Sequence, residues 1–282
     1  MNTIMKTFSK FSTLLMVLLM VACSKTNEIK VISYNVRYMG NPEADKENYW
    51  DNRKHASINM VNDEMPIVMG IQEALYPQMQ YLAENLPDYD HYGAGRDDGK
   101  QEGEYTAIFY KKDAVEMLDK GIFWLSETPE IPSLGWDAAC FRTCTWAVFK
   151  CKDTGKEFAF FNTHLDHKGK KAQEMSMKAI VQKIKEVAHD DMPVFLTGDF
   201  NSRTDNPIYA PLDSIMNDAR VVSPVTDLRG TSNGWKKEDN ASVIDHIFVR
   251  NAQAKTFSVL RDKDYGVPFI SDHYPVVTVV EF

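Results

Sequence analysis

Six short apolar segments of this chain each begin or end on a carboxylate, amide or imidazole group, and that arrangement limits the folds open to it. One of them is "VFLTGDFN", residues 194–201, in which Val194, Phe195 and Leu196 run through Gly198 to Asp199 and Asn201. Alone, this is the composition of a strand entering a turn, because Gly, Asp and Asn all suit turns. The pattern recurs. Asn35 follows one apolar segment and Glu73 ends the next; Asn162, His164 and Asp166 end a third. Asp199 and Asn201 end a fourth, Asp245 and His246 open a fifth, and Asp272 and His273 precede the last. Each case has a bland explanation, but six together point to polar groups gathered at strand ends.

Periodicity supports strands for these segments. In "EIKVISYNVRYMG" (28–40), Ile29, Val31, Ser33 and Asn35 share one face and Lys30, Ile32, Tyr34 and Val36 the other. Further strands are predicted at 66–74, 105–112, 143–150, 156–167, 192–201, 242–251 and 275–282. Helices are predicted at 51–65, where Ile58, Val61 and Met65 recur at helical spacing, and at 76–86. The clearest is 170–188, with Met177, Ile180, Val181, Ile184 and Val187 on one face. Asn206-Pro207 reads as a cap and first position of a short helix. The stretch 95–104, "GRDDGKQEGE", is a charged loop: a specificity loop or plain solvation. Pro129, Pro132 and Gly135 mark another, with Trp124 and Trp136 beside it read as packing residues, a substrate wall being the alternative. Strands outnumber helices and alternate with them irregularly, which favours a layered mixed domain over a regular parallel βαβ fold.

The first residues read as a targeting segment. Lys6 and Lys10 form a basic head, Phe11 to Ala22 is an apolar run too short for an ordinary membrane span, and Cys23 follows. This resembles a bacterial lipoprotein signal, with Met20 where such signals usually carry Leu; a plain secretory signal or an uncleaved anchor is the alternative. The expected organisation is a signal peptide over 1–22, a short tether over 23–27 and one domain over 28–282. The protein is then a monomer held by lipid on Cys23 outside the cytoplasm, in the periplasm or at the cell surface, with no protein partner implied. Removing the leader leaves 30 basic against 40 acidic residues, a formal charge of −10. That balance disfavours tight non-specific binding to long nucleic acids. Five Trp and twelve Tyr argue against disorder. Cys140, Cys144 and Cys151 fit no zinc pattern and read as three buried thiols, with one disulfide plus one free thiol as the alternative.

In order, "SYNVR", "GIQEA", "NTHLDH", "TGDFNS", "IDHIFV" and "SDHYPV" resemble the motif series of the endonuclease/exonuclease/phosphatase superfamily, from about residue 28 to 282. The resemblance implies an α+β fold: a four-layer α/β/β/α sandwich of the DNase I type. Two packed, mainly antiparallel sheets are flanked by helices, with the site at one rim. It implies a Mg²⁺-dependent phosphoesterase, with Mn²⁺ as a substitute ion, that hydrolyses a phosphate ester by in-line attack of water. Glu73 then ligates the metal, with Asn35 beside it and Asp272 in the metal environment. Asp199 orients or deprotonates the water, and Asn201 holds that water or a phosphoryl oxygen. Asp245 accepts a hydrogen bond from His273, which contacts the scissile phosphate or acts as general base. His164 donates to a phosphoryl oxygen.

Arg142, just ahead of a strand, is the candidate to aim a guanidinium at the substrate phosphate, an ordinary salt bridge being its alternative. Asp166, His167 and His246 read as neighbours of the site rather than members. Arg37 stands where abasic-site endonucleases carry a second metal-site acid, which weakens a DNA-repair reading. A phosphodiesterase acting on nucleic acid or a lipid head group is the favoured function. A phosphomonoesterase of small phosphorylated sugars or inositols is the alternative, and a non-catalytic ligand-binding surface lipoprotein is the rival from another class.

Overall fold

The computed structural model describes residues 27–237 and 241–282; the leader, Cys23 and all but the last residue of the tether lie outside the described residues. In chain order the elements are β1 (Glu28–Asn35), α1 (Pro42–Asp45), α2 (Trp50–Glu64), β2 (Val68–Ala74), α3 (Tyr76–Asn85), β3 (Tyr89–Tyr92), β4 (Tyr105–Lys111), β5 (Val115–Trp124), β6 (Thr143–Cys151), β7 (Glu157–His164), α4 (Lys170–Val187), β8 (Val194–Asp199), α5 (Ala210–Asp213), β9 (Asn217–Asp218), α6 (Ala219–Val222), β10 (Val225–Thr226), β11 (Asp245–Arg250), β12 (Gln253–Val259) and β13 (Val276–Glu281). They form a seven-stranded sheet ordered β10-β12-β13-β1-β2-β4-β3 and a six-stranded sheet ordered β5-β6-β7-β8-β11-β9. The pairs β1–β2, β7–β8 and β10–β12 are parallel and the others antiparallel.

The alternation along β1 shows how the layers stack. Ile29 and Val31 enter the cluster between the two sheets with Val68, Phe158 and Phe195. Ile32, Tyr34 and Val36 point the other way, into a second cluster against α2 and α3 with Trp50, Met60 and Leu82. A third cluster lies outside the six-stranded sheet, where Met177, Ile180, Val181 and Ile184 of α4 meet Phe161 and Leu196. These three cores between four layers are the expected sandwich. Fully burying a side chain such as Phe195 contributes about 1.5–3 kcal/mol. Strands β2 and β8 are buried along their whole length, so they read as continuous apolar runs rather than alternating ones.

Two glycines are dictated by the close approach of neighbours. A Cβ on Gly70 would lie 2.2 Å from Thr197 Oγ1 and 2.4 Å from Asn162 Oδ1, and one on Gly198 would lie 2.5 Å from the Thr163 carbonyl of β7. Asn162 staples the sheets there. Its Nδ2 donates to the carbonyls of Ile71 and Ala107, and its Oδ1 accepts from Gln72 Nε2. Asn162 therefore works between the sheets, not in the site.

Some expectations needed correction. Met65 is not on the buried face of α2; it caps the helix in the left-handed region and is 61 % exposed. Strands β3, β5 and β12 were not anticipated. β3 and β5 are sheet edges with exposed charged residues, and β5 and β12 carry bulges that break their alternation. The helix expected after Asn206-Pro207 forms as a 3₁₀ turn followed by α5, with Asn206 Oδ1 accepting from the Ile208 amide. Cys140, Cys144 and Cys151 are free thiols, but Cys140 is only half-buried.

Candidate active site

Strand topology alone collects the polar punctuation at one rim. The parallel pairs β1–β2 and β7–β8 put the C-terminal ends of these strands side by side. Their antiparallel partners β13 and β11 must begin at that same edge. His164 pairs in register with Asp199, and Asp199 in turn with Asp245. Asn35 pairs with Gln72, one residue before Glu73. Glu73 sits at a bulge with φ +67, and Arg37 and Asn201 are also left-handed, at φ +56 and +48. For Glu73 this conformation costs on the order of 1 kcal/mol and turns its carboxylate over the rim.

All nine expected site residues meet here, and all are buried except Asn201 and Asp272, which are half-buried. Asn35 Nδ2 donates to Glu73 Oε1 at 2.9 Å and to Asp199 Oδ2 at 3.0 Å. His273 Nδ1 lies 2.9 Å from Asp245 Oδ2, which also accepts from Thr231 Oγ1 at 2.6 Å. His273 Nε2 is 3.9 Å and His164 Nε2 3.5 Å from Asp199 Oδ2. The Asn201 amide nitrogen lies 3.0 Å from both His164 Nε2 and the Leu165 carbonyl, and its backbone N–H donates to Asp199 Oδ1. The cavity between these groups has a volume of about 340 Å³.

The environment sorts the protonation states. Burial pushes the Asp199 carboxyl up to about 7; Asp245 and Glu73 add to this and His273 opposes it. Burial opposes charge on His273, but Asp245 and Asp199 outweigh it and hold the ring well above the usual imidazole range. His164 goes the other way: burial, then Arg142, Arg96 and His273, hold it well below that range. Because neutral His164 accepts from Asn201 at Nε2, its proton lies on Nδ1, 3.7 Å from Glu104 Oε2. That Nδ1–H has no hydrogen-bond partner and is the donor the neutral ring can offer a phosphoryl oxygen. A protonated His273 is a donor rather than a base, which leaves Asp199 as the group suited to take a proton from water.

Sequence reasoning missed one wall. Arg96 and Glu104 open and close the charged loop 95–104 and line the cavity with Arg142, His167, Cys140 and Tyr38. Arg96 Nη2 donates to Glu104 Oε1 at 3.1 Å, and the Trp124 indole pins the loop through the Arg96 carbonyl at 2.7 Å. Trp124 is thus a packing residue, as expected. The signal was Glu104 standing next to the apolar start of β4, but a charged loop hid it. Arg142 Nε and Nη1 are buried without a hydrogen-bond acceptor; the nearest carboxylates, Asp166 and Glu104, are 3.7 and 3.8 Å away. Asp166 instead accepts the backbone N–H of Lys168 and Gly169 ahead of α4. His246 points away, bonded to Asp218 among the rings of Phe200, Tyr209 and Phe248. His167 lines the cavity, so its reading as a bystander is corrected.

A hard divalent cation fits part of this set. Ligand atoms of Glu73, His164 and Asp199 lie within 4.8 Å of one another, and Glu73 and Asp199 offer the oxygen donors such an ion prefers. Asn35 turns its amide nitrogen toward both carboxylates while its Oδ1 accepts from the Arg37 amide, so it ligates only after an amide rotation. Asp272 already faces a cation, Arg37 Nε at 3.5 Å, whose Nη1 is 3.7 Å from Glu73.

The sequence profile of the Endonuclease/Exonuclease/phosphatase family matches residues 32–273, which contain every residue of this site. The chain belongs to that family. Its members are phosphoester hydrolases, generally dependent on a divalent metal, and this chain is one of them in fold and in enzyme class. A family protein of Bacteroides thetaiotaomicron has the same fold at TM-score 0.86 and is 39 % identical, covering 92 % of this chain and 99 % of its own. A mannosyl-6-phosphatase from Bacteroides thetaiotaomicron VPI-5482 is also 39 % identical at TM-score 0.86, over 90 % of this chain and all of its own. A protein of Acanthamoeba polyphaga mimivirus is 25 % identical over 269 residues, 90 % of this chain and all of that protein.

Proposed function

We propose that this protein is a Mg²⁺-dependent phosphomonoesterase of phosphorylated sugars, held outside the cytoplasm by lipid on Cys23. The observation that carries this reading is 39 % identity with a mannosyl-6-phosphatase over 90 % of this chain, joined to a pocket walled on one flank by loop 95–104. Loop 95–104 encloses one flank, so a terminal phosphate enters more readily than a through-running polymer. This reverses the order of the two branches drawn from sequence, in which the diesterase stood first.

The chain enters β1 at Glu28, and Asn35 at the far end of its eight residues bonds Glu73 and Asp199 of the site. At about 3.3 Å per residue the pocket lies about 25 Å from that entry.

Bound Mg²⁺, with Glu73 as the chain's principal ligand, would supply charge relief on the phosphoryl oxygens. The rest falls to side chains. Asp199 takes the proton of the attacking water, which Asn201 orients. His273, held by Asp245, and Arg142, with two unused N–H groups, bind phosphoryl oxygens. Preorganised donors of this kind lower a barrier by about 3–4 kcal/mol each.

The test is turnover of mannose 6-phosphate, p-nitrophenyl phosphate and bis-p-nitrophenyl phosphate, each with Mg²⁺ and with EDTA. Metal-dependent hydrolysis of the monoesters alone is expected. Hydrolysis of the diester alone restores the other branch, and no hydrolysis of any phosphoester restores the binding-protein reading.

A further inference from the structure

A second cavity, of about 440 Å³, shares no lining residue with the catalytic pocket. Trp235 and Phe269 line it with Val267, and Glu47, Asn48 and Asn52 form its polar edge. We infer that this cavity is a subsite for an uncharged sugar ring of an extended substrate whose phosphate occupies the catalytic pocket.

Trp235 carries the argument. It is a bulky residue at φ +64, a conformation such side chains rarely adopt, and it is half-buried rather than packed away. Its turn is locked from both ends. The Trp235 amide donates to Asn233 Oδ1, and Asn233 Nδ2 donates to the Ser271 carbonyl. The amides of Asn233 and Gly234 both donate to the carbonyl of Asp272, so the platform is wired to a residue of the catalytic pocket. Arg53 supplies the second link. Its guanidinium is 5.3 Å from the Trp235 ring centre, and it donates to the carbonyls of Val36, Arg37 and Ile270. Arg53 is almost completely buried, so the frame between the two cavities is rigid.

The lining matches the chemistry of a pyranose. An aromatic face covers the C–H side of a sugar ring, and amide and carboxylate groups at an edge take its hydroxyls. The one carboxylate, Glu47, disfavours a second phosphate here. Strain held at Trp235 and support shared with Asp272 and Arg37 are what a site extending the catalytic pocket requires.

The experiment has two arms. In the first, the mature protein is titrated by calorimetry and tryptophan fluorescence with mannotriose and maltotriose. Saturable binding is expected, lost in Trp235→Ala and retained in Trp235→Phe. The second compares mannose 6-phosphate with a 6-phosphorylated trisaccharide. In Trp235→Ala the KM of the trisaccharide should rise about tenfold, the scale of one aromatic contact, with the hexose phosphate unchanged. Asn48→Ala, on the polar edge, replaces it if Trp235→Ala does not fold. Only the kinetic arm rests on the sugar-phosphate reading. Trisaccharide binding at Trp235 without sugar-phosphate turnover sustains the subsite and sinks that reading. Sugar-phosphate turnover with no trisaccharide binding, or with binding and KM equal in every variant, overturns the subsite.

Discussion

His273 Nδ1 lies 2.9 Å from Asp245 Oδ2, joining the residue before β13's lead-in to the first residue of β11 and so tying the two sheets together at the catalytic rim. Asp245 is the main reason the ring stays protonated despite its burial. Asp245→Asn removes that support, so the His273 pKa falls and activity that needs the imidazolium is lost at lower pH than in the wild type. The expected result is a basic limb of the kcat/KM profile displaced to lower pH, with turnover reduced about 10²–10⁴-fold. An unmoved basic limb counts against His273 as the charged donor.

Asp199→Asn should separate catalysis from stability. Turnover falls about 10²–10⁴-fold because the proton acceptor is gone. Stability moves the other way. The folded-state carboxyl titrates at about 7, above its ordinary 3.8. Its favourable contribution is therefore complete below the unfolded value and lost as pH rises through about 7, where a buried carboxylate must be carried. In EDTA at pH 8 the amide variant should melt above the wild type, and the gap should close in acid. Equal melting temperatures at both pH values would show that burial does not control this group.

Glu73→Gln addresses the metal directly. Calorimetric titration should show Mg²⁺ affinity weakened by at least about tenfold, the lower end of what even outer-sphere partners cost. Asp272→Asn should weaken it much less, because Asp272 is already matched by Arg37. Equal losses in the two variants would make Asp272 a ligand of the same rank.

Away from the site, Glu64 is 4 % exposed and bonded to Lys30 and Lys263. Burial raises its carboxyl, but the two lysine hydrogen bonds and their charges outweigh it and hold it below the usual range. A depressed carboxyl contributes stability above its unfolded pKa and loses it as pH falls through the folded one. Glu64→Gln should cost about 1.5–3 kcal/mol at neutral pH, toward the lower end because both lysine heads are partly in water. The difference from wild type should vanish in acid; a difference constant with pH would assign the loss to packing.

Residues 28–35 and 194–199 were legible from their letters, because strand alternation, buried runs and turn residues are local properties with local causes. The amphipathic face of α4 was legible for the same reason. The ordered motifs carried the family and eight of the site residues, all but Arg142, since each motif sits at a strand end that the next strand's direction brings back to one rim. Only the tertiary structure decided which wall closes that rim. Glu104 and Arg96 look like solvated loop charges until the loop is pinned under Trp124. Edge strands β3 and β5 bury too little to show a period. The protonation of Asp199, His164 and His273 is equally invisible in the sequence, because burial and the approach of distant charges set it, and neither exists before the sheets pack.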